Sequence, residues 1–132
     1  TYTGNPTAAA LSLKNIELYE KYHLIEKIQK TSKVFENRIQ DISNLDAVGE
    51  IRHKGMVMGI ELVQNKNPNK PLSSEISINK LVFEEGRKHQ IYFRTLGNII
   101  MLVPPLAISQ KDLNFLIDGT ISTIKSISRK LQ

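Results

Sequence analysis

Two adjacent prolines, Pro104 and Pro105, close an apolar run that begins at Ile99. Neither carries a backbone N–H, so no β-ladder passes through them and a strand here must end at Val103. Upstream, Gly97-Asn98 is favourable turn chemistry because both residues tolerate positive φ. The stretch Ile91–Ser109, IYFRTLGNIIMLVPPLAIS, therefore reads as two short strands around a turn. Ile91 to Arg94 form the first strand, Thr95 to Asn98 the turn, and Ile99 to Val103 the second. Arg94 is a permanent cation in an otherwise apolar run. It is either a strand-end arginine with its head in water or a guanidinium aimed at a carboxylate or phosphate. The stretch by itself favours the first.

The rest of the chain supplies elements for this hairpin to pack with. Asn5 is a good N-cap and Pro6 suits the first helical position. Ala9, Leu13 and Ile16 then recur at helical spacing, which predicts a buried side. Tyr22-His23 marks a break. A second helix is predicted from about Leu24 to Asn44, with Leu24, Ile28, Phe35, Ile39 and Ile42 on one stripe. Val48–Val63, VGEIRHKGMVMGIELV, reads as a hairpin turning at Lys54-Gly55, with Gly59 at a close approach or a bulge. Gln64–Pro71 is a polar loop and the expected disordered or variable piece. Ser73 or Ser74 is expected to cap a helix to about His89, its last turn weakened by Gly86. Ser109 followed by Asp112 is a capping-box pattern for a last helix to about Lys130. The order α-α-β-β-α-β-β-α points to an α+β fold: a mostly antiparallel sheet with helices packed on one face.

Composition narrows the function classes. The chain has 132 residues, enough for one domain with a real core. It has no cysteine, which removes disulfides, thiolate nucleophiles and cysteine metal sites. The longest apolar run, Ile99–Ile108, is about half of the roughly twenty residues a spanning helix needs. The net charge of +5 is spread out rather than blocked, and aromatics are 6% with no tryptophan. That leaves little for a base-stacking surface, so a nucleic-acid-binding module is a remote alternative. His23, His53 and His89 are isolated, and no metal-ligand spacing, phosphate-cradling loop or nucleophile elbow occurs.

Read together, three blocks are more specific than any one. TYTGNP before an alanine-rich helix, then VGEIRHKGMVMGIELV, then FRTLGNIIMLVPPLAIS resemble the C-terminal part of class III aminotransferases, pyridoxal-phosphate enzymes of fold type I. They occur in the family's order and span nearly the whole chain. The resemblance implies that residues 1–21 are a loop and the last helix of a cofactor domain, and that 22–132 form the small C-terminal domain. It implies a C-terminal fragment of a cytoplasmic homodimer acting on small molecules, with no nucleic-acid or membrane partner. The family's Schiff-base lysine would lie upstream of Thr1, so no catalytic residue and no metal ligand is assigned here. The fragment alone is expected to be inactive. Thr1 stands where the family's threonine contacts the cofactor phosphate of the partner subunit.

Within the class, the pattern around Arg94 is similar to the members that make 7,8-diaminononanoate in biotin synthesis from 8-amino-7-oxononanoate and S-adenosylmethionine. The ornithine, acetylornithine and 4-aminobutyrate members commonly carry an arginine where Met101 stands; the diaminononanoate-forming ones place it before the turn, at Arg94. The resemblance thus reverses the preference about Arg94 and implies that it binds the substrate carboxylate. Thr95 departs from the pattern, standing where proline is frequent.

Overall fold

Asn5 caps the first helix by accepting a hydrogen bond from the Ala8 N–H at 2.9 Å, and Pro6 occupies the first helical position. The computed structural model describes residues 3–66, 70–73 and 75–131. Helix α1 spans Pro6–Lys21 and α2 spans Leu24–Ser43. Between them His23 takes a left-handed conformation, φ 49°, which breaks the helix at the expected place. Strands β1 (Val48–Lys54) and β2 (Val57–Leu62) form the first hairpin. Helix α3 (Ile78–Lys88) leads to β3 (Arg94–Leu96), β4 (Ile99–Leu102) and α4 (Gln110–Leu131). The element order is the one expected. The strands form one antiparallel sheet in the order β1-β2-β4-β3.

Directly opposed residues of antiparallel strands put their side chains on the same face, which sorts the sheet into two sides. Met58 opposes Leu102 and Ile60 opposes Ile100; all four are buried, with Leu62 beside them. Phe35 and Ile42 of α2, Val82 of α3, and Leu113, Ile117, Ile124 and Ile127 of α4 complete one apolar cluster on that face. The opposite face carries a row running Arg52, Gly59, Met101, Arg94 across all four strands.

Several local expectations are corrected. Helix α1 has no buried residue, and Leu13 and Ile16 remain 65% and 58% exposed. It packs on α2, and no element among the described residues covers the side that Ala9, Leu13 and Ile16 share. The first hairpin turns at Gly55-Met56, one residue later than expected, with Gly55 at φ +57°. The irregular register lies between Val48 and Ile51, not at Gly59. Helix α3 begins at Ile78 behind Ser77, because Ser73 spends its hydroxyl on the Glu75 N–H and its carbonyl on Ile76 in a separate turn. Strand β3 begins only at Arg94, because the Ile91 N–H bonds back to the Gly86 carbonyl at 3.0 Å instead of joining a ladder. Asn65 and Lys70 form an antiparallel bridge, and residues 67–69 of that polar loop lie outside the described residues. Ser109 caps α4, but not as a full capping box: the Asp112 N–H donates to the Ser109 hydroxyl at 3.1 Å, and the Asp112 carboxylate accepts from that hydroxyl at 2.7 Å rather than from the Ser109 N–H. No described helix is long and apolar enough to cross a membrane.

Glu85 ties α3 to α4. Its side chain is 3% exposed and its Oε1 accepts from Lys130 Nζ and from Lys88 Nζ, the latter at 2.7 Å. The Lys130 hydrogen bond, then the Lys88 one, hold the carboxyl below its ordinary value of 4.5 against the opposing effect of burial. A lowered folded-state pKa means the contribution is complete above about pH 4.5 and is lost as the pH falls through the lowered value. Both lysines keep much of their solvation, so Glu85→Gln is expected to cost only about 1–2 kcal/mol at neutral pH. The variant should also lose less stability than the parent between pH 5 and pH 3 (roughly the carboxylate range). Parallel acid-denaturation curves would refute the tie.

Candidate functional site

The end of α3 positions the site. The Gln90 N–H bonds to the Arg87 carbonyl at 3.1 Å and the Ile91 N–H to the Gly86 carbonyl at 3.0 Å. This paired pattern ends the helix in a Schellman motif, with Gln90 at φ 61° in the left-handed position. The chain then alternates. Ile91 and Phe93 turn inward, each 7% exposed, while Gln90, Tyr92 and Arg94 are exposed. A Cβ on Gly86 would lie 2.6 Å from Phe93 Cδ2 and 2.9 Å from the Ile91 carbonyl oxygen. The absent side chain is therefore what lets Phe93 seat on α3. On the other side, Ile91 lies over Gly119 of α4 at a distance no Cβ there would tolerate. The segment that delivers Arg94 is clamped between two helices.

Arg94 opens the edge strand β3 and is paired across the ladder with Met101 of β4. The two positions at which the resemblance puts an arginine in different members are thus cross-strand neighbours on one face. Arg94 and Met101 both line a cleft of about 480 Å³, with Tyr92, Val103, Pro104, Pro105 and Phe115 among the other walls. Its lining is mostly apolar; among the described residues it includes no acidic side chain, and Arg94 is the only charged one. Arg94 has no ion-pair partner among the described residues. By contrast Arg38 is committed, its pKa raised by hydrogen bonds to Asp118 and Asp41, each at 2.6 Å. An unpaired guanidinium on an apolar wall suits an anionic group attached to an aliphatic chain. Thr95, next along, donates its hydroxyl to Asn79 Oδ1 at 2.8 Å and so fixes β3 to α3.

Other expected residues fall elsewhere. Thr1 lies outside the described residues; of its loop, Gly4 has φ +73° and Asn5 is occupied in capping. His53 donates from Nε2 to the Gly55 carbonyl oxygen at 2.7 Å and lies against Phe35, which makes it structural. No metal-holding cluster occurs among the described residues. The Arg94 cleft offers neither a lysine for a Schiff base nor a carboxylate for a pyridinium nitrogen. On its own it does not fit pyridoxal phosphate. Gln90 and Phe115 were not anticipated as walls. A glutamine where helix ends favour glycine was the available signal for the first.

The family model "Aminotransferase class-III" matches residues 1–124. The chain is 33% identical over 128 residues to the adenosylmethionine-8-amino-7-oxononanoate aminotransferase of Geobacter sulfurreducens, covering 97% of this chain and 28% of that protein. It is 31% identical over 131 residues to a probable mitochondrial gamma-aminobutyrate transaminase 3 of Oryza sativa subsp. indica, covering 99% and 26%. The crystal structure of adenosylmethionine-8-amino-7-oxononanoate aminotransferase from Methanocaldococcus jannaschii superposes with a TM-score of 0.87 at 36% identity, covering 96% of this chain and 29% of that one. The chain thus spans less than a third of the length of these relatives.

Proposed function

Because the chain belongs to the class III aminotransferase family, we propose that it is the carboxylate-holding part of an enzyme that moves an amino group from S-adenosylmethionine to 8-amino-7-oxononanoate. The product is 7,8-diaminononanoate, an intermediate in biotin synthesis. The observation that carries the reading is Arg94: the one charge in an apolar cleft, without an ion-pair partner among the described residues. The acceptor has its carboxylate at the far end of an aliphatic chain from the reacting ketone. Fixing that end and burying the chain sets where the ketone sits, which is worth rate through orientation. The similarity to enzymes bearing this name supports the choice of substrate.

In the intact enzyme, pyridoxal 5'-phosphate would supply the electron sink for the transfer. Residues outside this chain hold its ring in this reading, and Thr1 contacts its phosphate across a homodimer interface. Residues 1–21 then belong to the cofactor domain and 22–132 to the small domain, in a cytoplasmic enzyme. The exposed apolar side of α1 supports this division, since a larger domain gives it something to pack against. Thr1→Val in the full-length protein is expected to weaken cofactor retention on dialysis by several-fold, since a hydroxyl donor to a phosphate is lost; unchanged retention would remove Thr1 from the site.

A second reading is a 4-aminobutyrate-type enzyme, favoured by the similarity to the Oryza protein. Met101 argues against it, because the guanidinium expected there is supplied from the opposite strand. The experiment that separates the two is a comparison of both amino acceptors and donors with the intact enzyme and its Arg94 variants. Turnover of 4-aminobutyrate in preference to adenosylmethionine would overturn the first reading.

A further inference from the structure

Gln90 combines three observations. It is one of two non-glycine residues with positive φ among those described, at 61°. It occupies the helix-ending position at which glycine costs nothing and a side chain is strained. It lines the Arg94 cleft, and its carboxamide has no hydrogen-bond partner among the described residues. The other such residue, His23, is exposed at a break between helices and does not line that cleft. Strain kept at a cleft wall, where glycine would relieve it, indicates that the side chain is needed there.

The period-two alternation places Gln90, Tyr92 and Arg94 on one exposed ridge, with Ile91 and Phe93 beneath as its footing. Gln90 and Arg94 are at most about 13 Å apart along the backbone, and both have side chains long enough to converge on one group between them. We propose that Gln90 is a specificity-determining residue that donates its carboxamide N–H to the acceptor carboxylate held by Arg94. This rests on the carboxylate-binding reading of the cleft. A neutral donor beside the guanidinium adds direction to the charge and favours a carboxylate over a larger or tetrahedral anion.

The test uses the full-length holoenzyme with three variants, Gln90→Gly, Gln90→Glu and Arg94→Ala. Sodium octanoate, a chain with a single carboxylate, serves as an unreactive competitor of the amino acceptor. Gln90→Gly is expected to raise the acceptor KM and the octanoate Ki by about fivefold, with kcat changed less than about twofold. Relief of the left-handed strain should at the same time raise Tm by about 3 °C. Gln90→Glu should weaken octanoate further, because it sets a like charge beside the carboxylate. If Gln90→Gly raises Tm but leaves KM and Ki unchanged while Arg94→Ala raises both, Gln90 only ends the helix and the proposal falls alone. If Arg94→Ala also leaves octanoate inhibition unchanged, the carboxylate site is elsewhere and both readings fall.

Discussion

Arg94→Ala in the full-length enzyme is expected to lower kcat/KM for the oxononanoate half-reaction by at least about tenfold, and to affect the adenosylmethionine half-reaction less. Hydrogen bonds to charged groups are worth roughly 1.5–3 kcal/mol each, and a fork loses two at once. Nothing else in the cleft substitutes, since its remaining lining is uncharged. Arg94→Lys should rescue only partly, because an ammonium cannot reproduce the planar pair of donors. The sheet register adds a sharper expectation. Met101 is the cross-strand partner of Arg94, and opposed Cβ atoms lie about 4.5–5.5 Å apart on one face. Met101→Arg on the Arg94→Ala background should therefore return part of the lost acceptor activity. Single-turnover rates for each half-reaction decide it. An unimpaired oxononanoate half-reaction in Arg94→Ala would make Arg94 an ordinary strand-end arginine.

Gly86→Ala is expected to be strongly destabilising. In an open helix interior, alanine for glycine gains up to about 1 kcal/mol. Here the added Cβ would meet a Phe93 ring carbon at 2.6 Å and the Ile91 carbonyl oxygen at 2.9 Å. Ile91 is itself held over Gly119, so the segment has no free direction in which to yield. Overpacking of this kind costs about 1–3 kcal/mol and more when backbone must move. A loss of about 3 kcal/mol lowers Tm by roughly 10 °C in a domain of this size. Because Phe93 immediately precedes Arg94, acceptor KM should rise as well. Thermal melts of the parent and the variant provide the check; an unchanged or raised Tm would mean that Phe93 does not seat on Gly86.

The local rules that can be read from neighbouring residues were legible. Asn5-Pro6 starts α1, Ser109-Asp112 starts α4, and Gly97 turns the second hairpin at φ +60°. Pro104 and Pro105 end the last strand, whose ladder stops at Leu102. What was not legible depends on partners distant in sequence. Leu13 and Ile16 announce a face that can be buried but not whether a neighbour exists to bury it. Ile91–Phe93 has strand composition, yet the Ile91 N–H is taken by Gly86, so the ladder starts late and Arg94 opens the strand rather than ending it. Arg94 itself was ambiguous on local grounds and became informative only through resemblance; its pairing with Met101 needed the register. Gly86 looked like a weak point in a helix, whereas the fold uses it as a seat for an aromatic ring.

A crystal structure of the full-length holoenzyme with 8-amino-7-oxononanoate bound would show directly whether Arg94 holds the acceptor carboxylate. The carboxylate is expected in the cleft beside Met101, with both terminal nitrogens of Arg94 about 2.7–2.9 Å from its oxygens. An acceptor bound with its carboxylate on another residue, and Arg94 left pointing into water, would contradict it.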